Sequence, residues 1–567
     1  MSTSKRVFFY IVSLVGLGVF AGGIGNLLRL LFDITIRSDI STIGDAAFTR
    51  DQLSFGIAML IIGGLLWFFF WRNIQTNVKN NVAEVASVVR KFYINIILLV
   101  SALIALLFAM DFFQWLLSGV PLISFSPDTT ATMIVSAAVW YYHWNIELKE
   151  GQPSSSAKTL RRWYMYIMCA WTLCWFTFGL VHLVHAAVLY MPVWETTITY
   201  GSFWNSNVHS SISSILIGGV LWVFHWFHAA KNDFGSSLRN VYLYLFTIFG
   251  GALAGLIALT SFVYQILRFF ISGTSAADPR YFQFLGWTIP TVIVAGAVWA
   301  YHQQKAQEEA SSGDTQYFSA RRVLFYLMAF IGLGTLVAGL LMLLGILLDV
   351  WINAASSGTV IIAAGWWHNQ LALSLAMLIV AAPVWYYYWN QVMRMVARGG
   401  IEEWRARSRR IFLYVVLGVT IIALTAALVN IVYQLLNGFL QGDFGIDVLR
   451  QSKWSLQTLV VAAPVLIYHL SVLRQDQRRG AETIVQQKTV TVLADERSAD
   501  LIIRLEKELG YSVRRLIISS TPEMQSSAEL SEQDITSLVN DIRQASTRKV
   551  MVIAAAEKLL VVPYEEK

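Results

Sequence analysis

The chain has 567 residues, 56% of them hydrophobic and 14% charged, with a mean hydropathy of +0.56 and a net charge of +7. A soluble domain carries roughly 25% charge, so composition excludes the ordinary soluble class and points to a membrane protein. The positive balance excludes nothing by itself, but it is not read as nucleic-acid affinity, because Lys and Arg cluster in alternate loops as a topology signal.

A spanning helix needs about 20 mostly apolar residues. Twelve segments meet this, near 7–32, 53–72, 92–117, 131–147, 163–190, 210–230, 241–271, 283–303, 323–352, 369–393, 411–438 and 455–473. The first is too long for a secretory signal and matches later segments, so it reads as a retained span. The N-terminus and every second loop hold 24 Lys and Arg, against seven on the opposite side: Arg29, Arg37, Arg50, Arg268, Arg280, Arg450 and Lys453. The basic side is expected in the cytoplasm of a bacterial cell, with both termini there and the spans in the inner membrane.

The segments fall into six pairs. Each pair opens on a basic residue followed, usually five later, by Tyr: KRVFFY at 5, RKFYIN at 90, RRWYMY at 161, RNVYLY at 239, RRVLFY at 321 and RRIFLY at 409. Each closes on a small–small–x–x–Trp block: GGLLWFFFW, SAAVWYYHW, GGVLWVFHW, AGAVWAYHQ, AAPVWYYYW and AAPVLIYHL. The repeated residues are Trp67 and Trp71, then Trp140, His143 and Trp144, then Trp222, His225 and Trp226, then Trp299 and His302, then Trp385 and Trp389, then His469. Openings at 5, 161 and 321 imply three parallel four-helix modules. The expected divisions are 1–160, 161–320 and 321–477.

These openings, the W-x-x-H-W closing and the four-helix unit resemble an uncharacterised family of bacterial integral-membrane domains of unknown function. The resemblance covers roughly residues 5–475. It implies a membrane location and a four-helix unit, and it brings no activity and no site. LIYHL in the last block lacks both tryptophans.

Residues 478–567 change in character. A polar linker, QRRGAETIVQQ, precedes a strand, a helix, a second strand, a second helix and a hairpin. The helix starts expected at Ser498 and Ser531, and the stop at Gly510, follow from capping preferences. Residues 480–567 hold 11 basic and 14 acidic residues, and this small α/β domain has no phosphate-binding glycine motif. A regulatory or partner-binding module is the expectation.

His143, His225, His302 and His469 invite a haem or metal reading. Phe70 and Tyr388 hold the same slot in other pairs, which favours an interfacial packing role. His182 and His185 share one helix face, and with His209 they are the candidate metal or haem ligands, with Glu195 as the nearby acid. Sixteen residues past the opening Tyr (or Asn95) lie Asn26, Asp111, His182, Thr260, Met342 and Asn430; three further lie Arg29, Gln114, His185, Val263, Gly345 and Tyr433. Asn26, Asp111, His182 and Asn430 thus form a candidate polar stripe for ions, protons or helix association. Cys169 and Cys174 read as core residues, Gly18/Gly22 and Gly251/Gly255 as close-packing faces, and Pro290, Pro383 and Pro464 as kink points in second helices. The resulting expectation is a non-enzymatic scaffold, sensor or assembly protein without cofactor, in contact with the bilayer and with a protein partner through 480–567. A transporter or channel, and a haem- or copper-binding redox protein, are the alternatives.

Overall fold

The structure is a computed structural model, and it describes residues 3–36, 46–152, 154–191, 202–272, 279–310, 315–355, 365–404, 406–442, 445–486, 488–494, 499–509, 512–517, 532–545, 547, 549–555 and 558–564. Glu195, Arg37, Ser498, Gly510 and Ser531 lie outside them.

Twelve long helices come first: α1 Thr3–Ile36, α2 Ala46–Asn80, α3 Val88–Leu117, α4 Pro127–Glu150, α5 Ser155–Leu189 and α6 Ser206–Ala229. They continue as α7 Ser237–Ser272, α8 Leu285–Ala310, α9 Thr315–Ala355, α10 Trp366–Trp404, α11 Arg407–Gln441 and α12 Ile446–Gln486. Among the described residues 11 helices are long and apolar enough to cross a membrane, by length and composition. The exception is α4, whose Trp140, Tyr141, Tyr142, His143, Trp144 and Glu147 dilute the apolar run. The expected linker at 477–487 is helical as far as Gln486, so α12 runs 41 residues. Its QRRGAE stretch has good helix formers and no proline to stop it.

The chain forms two compact units, residues 1–392 with 427–461 and residues 393–426 with 462–567. In the first, consecutive helices pack as antiparallel hairpins, with backbones in close approach at repeated glycines. A Cβ on Gly16 would sit 2.7 Å from the Trp67 nitrogen, and one on Gly63 would run into the Phe20 backbone nitrogen. Gly332 repeats the first contact against Trp385 at 2.9 Å. The register differs from the one expected: a Cβ on Gly18 would meet nothing within 4 Å, and Gly22 faces only the Met59 side-chain tip. Gly251 does approach α8, at the Ala295 carbonyl. Pro290, Pro383 and Pro464 sit inside continuous helices. Cys169 is buried, as expected, but Cys174 is exposed, because it lies on the opposite side of α5.

In the second unit, the C-terminal residues build a four-stranded sheet in the order β2-β1-β3-β4 from β1 Thr489–Ala494, β2 Arg514–Ile517, β3 Lys549–Ala555 and β4 Lys558–Tyr564. β1 is parallel to β2 and β3, and β3 pairs antiparallel with β4. Parallel neighbours require crossovers. The helices α13 Ala499–Leu509 and α14 Glu532–Gln544 lie between these strands in the chain. Val490, Val492, Leu501, Leu505, Leu538, Ile542, Val550 and Val552 form the core. The βαβαββ order expected from the sequence is the one observed.

Candidate functional site

The repeated histidines build their sites from their own helices outward. In His143, His225, His302 and His469 the Nδ1 lies 2.8 Å from the carbonyl four residues earlier: Val139, Leu221, Val298 and Val465. A carbonyl only accepts, so Nδ1 carries the proton and Nε2 is the acceptor in each. All four side chains are buried. At His225 the Nε2 accepts from the Tyr164 hydroxyl (3.1 Å), which itself accepts from Trp140 Nε1 (2.9 Å). His143 and His302 turn their rings onto Tyr93 and Tyr242, with centroids 6.1 and 5.7 Å apart.

At three of the closing blocks an arginine from the following opening motif covers the second Trp. Arg90 lies over Trp71 (5.6 Å to the ring centroid), Arg161 over Trp144 (4.2 Å) and Arg239 over Trp226 (4.6 Å). The second Trp of one pair therefore receives the cation of the following pair, an arrangement favoured by the ring quadrupole. Where the block lacks that Trp, at Gln303, the following Arg321 lies over its own neighbour Phe325 instead (5.1 Å).

The arginine is neutralised by an acid seven residues beyond the histidine. Arg90 donates to Glu150 from Nε (3.0 Å) and Nη2, and Arg239 binds Glu309 with two parallel bonds of 2.8 and 2.7 Å. In the second unit Arg409 donates from Nη2 to Asp476 (3.0 Å), beside His469 and Phe412. The third pair shifts the pattern by one: Arg162 donates to Asp233 (2.7 Å), which also accepts from Tyr166 (2.9 Å) and Ser236 (2.7 Å). Lys91 adds a second ion pair at the first site, to Glu147 (2.8 Å) and to the Gly151 carbonyl (2.7 Å). Gly151 ends α4 at φ 63, a left-handed conformation that a side chain disfavours.

Two further links cross between pairs. Trp71 Nε1 donates to Tyr142 (2.6 Å), and Trp226 Nε1 donates to Tyr301 (2.8 Å). Trp67 stacks on Phe20 and Trp222 on Phe176. Trp385 backs onto Gly332, Trp389 is buried and Trp299 is partly exposed. The nodes at His143, His225 and His302 thus each join three helices through a Trp, an Arg, a Tyr, a His and an acid, and the one at His469 combines Arg409, Phe412, His469 and Asp476. The acid, and the aromatic three residues after each opening Arg (Tyr93, Tyr164, Tyr242, Phe412), are absent from the expectation above. A sequence signal for the acid exists: Glu150, Glu309 and Asp476 each lie seven after a block histidine.

The three-histidine metal arrangement is not formed. His182 and His185 lie on Trp287 of α8, with centroids 4.6 and 3.7 Å away, and Gly286 leaves room for the second ring. His209, at the start of α6, packs against Trp204 (5.0 Å) and lines a different cleft, with Asp111 and Gln114 of α3. Aromatic partners outcompete mutual approach of imidazoles here. No group of three His, Cys, Asp or Glu able to hold a metal occurs among the described residues. The stripe residues also have separate settings: Asn430 accepts from Ser455 (2.9 Å), while the buried Asn26 Oδ1 has no partner among the described residues.

The chain matches no functionally curated protein and no solved structure. A family model, Domain of unknown function (DUF5671), matches three times, at residues 6–126, 168–290 and 322–451. Each match starts at the opening helix of an odd pair and stops before the histidine of the following even pair, so His143, His302 and His469 lie just beyond it. These three matches cover more than half of the chain, which therefore belongs to the DUF5671 family and carries its domain of unknown function three times over.

Proposed function

We propose that this is an integral membrane protein of twelve spans, built from four-helix modules at 1–160, 161–320 and 321–477, that acts as a non-enzymatic scaffold, sensor or assembly protein. Its nodes lie at the cytoplasmic face of the inner membrane, and residues 478–567 dock a protein partner there. The observation that carries this reading is the state of the repeated polar side chains. Arg90, Arg161 and Arg239 are packed on aromatic rings, and the Nδ1 of each node histidine is bonded to its own helix. Groups held this way brace helices against one another. The C-terminal sheet, with a core of its own, supplies a separate module for docking.

Affinity purification of the full chain and of a chain lacking 480–567 tests the reading. A protein partner recovered with the first and lost with the second is the expected result. Identical sets of recovered proteins would remove the docking role.

A further inference from the structure

We infer that the end of the bundle away from the nodes carries a binding site for a small ligand bearing a primary ammonium group, an inference independent of the docking role. The site is a cleft of about 380 Å³ where the C-terminal end of α3 meets the first turns of α4 and α6. That volume suits a small ligand.

The chemistry of its walls selects the ligand. Asp111 and Gln114 stand one turn apart on α3, Thr130 comes from α4 and His209 from α6. No Lys or Arg lines the cleft, and Asp111 makes no ion pair among the described residues. A lone carboxylate at the end of an apolar helix draws a cation. His209 is only 6% exposed, and its buried Nε2 has no hydrogen-bond partner among the described residues. A polar atom buried this way is costly unless something pairs with it. Trp115 and Phe125 add ring faces 4.8 Å apart, and the Trp115 indole is fixed by its bond to the Pro121 carbonyl (3.1 Å).

A carboxylate, further acceptors and aromatic rings together recognise an ammonium ion. Among the described residues an anion would find no cation here. A transition metal would find only one carboxylate and one imidazole, fewer than the three protein ligands such sites use. The acceptors favour an ammonium with N–H donors over a quaternary one. Such a group arrives on a free amine or on the ethanolamine headgroup of a lipid, and both present the same atoms.

The test uses the full chain. Calorimetric titration with ethanolamine, with choline as the comparison, reads the free amine. Native mass spectrometry of the chain taken from vesicles of equal phosphatidylethanolamine and phosphatidylcholine reads the headgroup. Saturable ethanolamine binding stronger than choline binding identifies the free amine. Selective retention of phosphatidylethanolamine, released by excess ethanolamine, identifies the lipid. In either arm Asp111→Asn lowers affinity by about tenfold, the effect of losing one charge-assisted contact, and His209→Phe, which keeps a ring, also weakens it. Thermal midpoints equal to wild type show that the variants fold; should Asp111→Asn unfold, Gln114→Leu takes its place. The inference is overturned if neither arm shows selectivity on the wild-type chain, or if the folded variants bind as wild type does.

Discussion

Arg239 and His302 share one node and differ in what their loss leaves behind. Arg239→Met removes the two-bond partner of the Glu309 carboxylate and the cation over Trp226. Breaking a buried pair on one side costs about 3 kcal/mol or more. His302→Phe puts into the slot the residue type that Phe70 already places there, and it loses one neutral hydrogen bond worth about 1 kcal/mol. Denaturant unfolding in detergent micelles should therefore rank Arg239→Met well below His302→Phe. The double variant Arg239→Met/Glu309→Leu should recover part of the loss, since no charge remains unpaired. Equal effects of the two single variants would mean that the imidazole, not the ion pair, carries the node.

At the scale of the helix, the decisive contacts are between backbones. Gly63→Val would push a side chain into the Phe20 backbone of α1, where no flexible side chain can yield. Overpacking of this kind costs about 1–3 kcal/mol, whereas Gly18→Val, facing open space, should change stability by less than about 0.5 kcal/mol. The same unfolding measurement checks both. Periodicity alone made α1 through α12, the pairing and the βαβαββ tail legible, because each depends on runs of neighbouring residues. It did not reveal which glycine faces the partner helix, since Gly16 and Gly18 have the same composition around them and differ only in azimuth. Nor did it reveal the Trp–Arg pairing, which links the end of one pair to the start of the next across 17, 19 or 13 positions at Trp144–Arg161, Trp71–Arg90 and Trp226–Arg239. The acids were hidden for a simpler reason. Glu150 and Glu309 lie beyond the apolar runs, where the sequence reads as loop but the helix continues.

For the whole molecule, the proposed topology has the chain cross the membrane twelve times, with every node on the cytoplasmic side. The helix that decides this is α4, the least apolar of the twelve. Its ends are bounded by Ser124 and Gln152, both exposed. Single cysteines at Ser124→Cys and Gln152→Cys, in a Cys174→Ala background that leaves only the buried Cys169, report which side each end faces. Asn80→Cys, Asn232→Cys and Gln441→Cys extend the comparison to other exposed helix ends. With a membrane-impermeant maleimide on intact cells stripped of their outer membrane, the account predicts labelling at Ser124→Cys and Gln441→Cys. It predicts labelling at Asn80→Cys, Gln152→Cys and Asn232→Cys only after the membrane is opened. Labelling of Gln152→Cys in intact cells, or protection of Ser124→Cys, would contradict it.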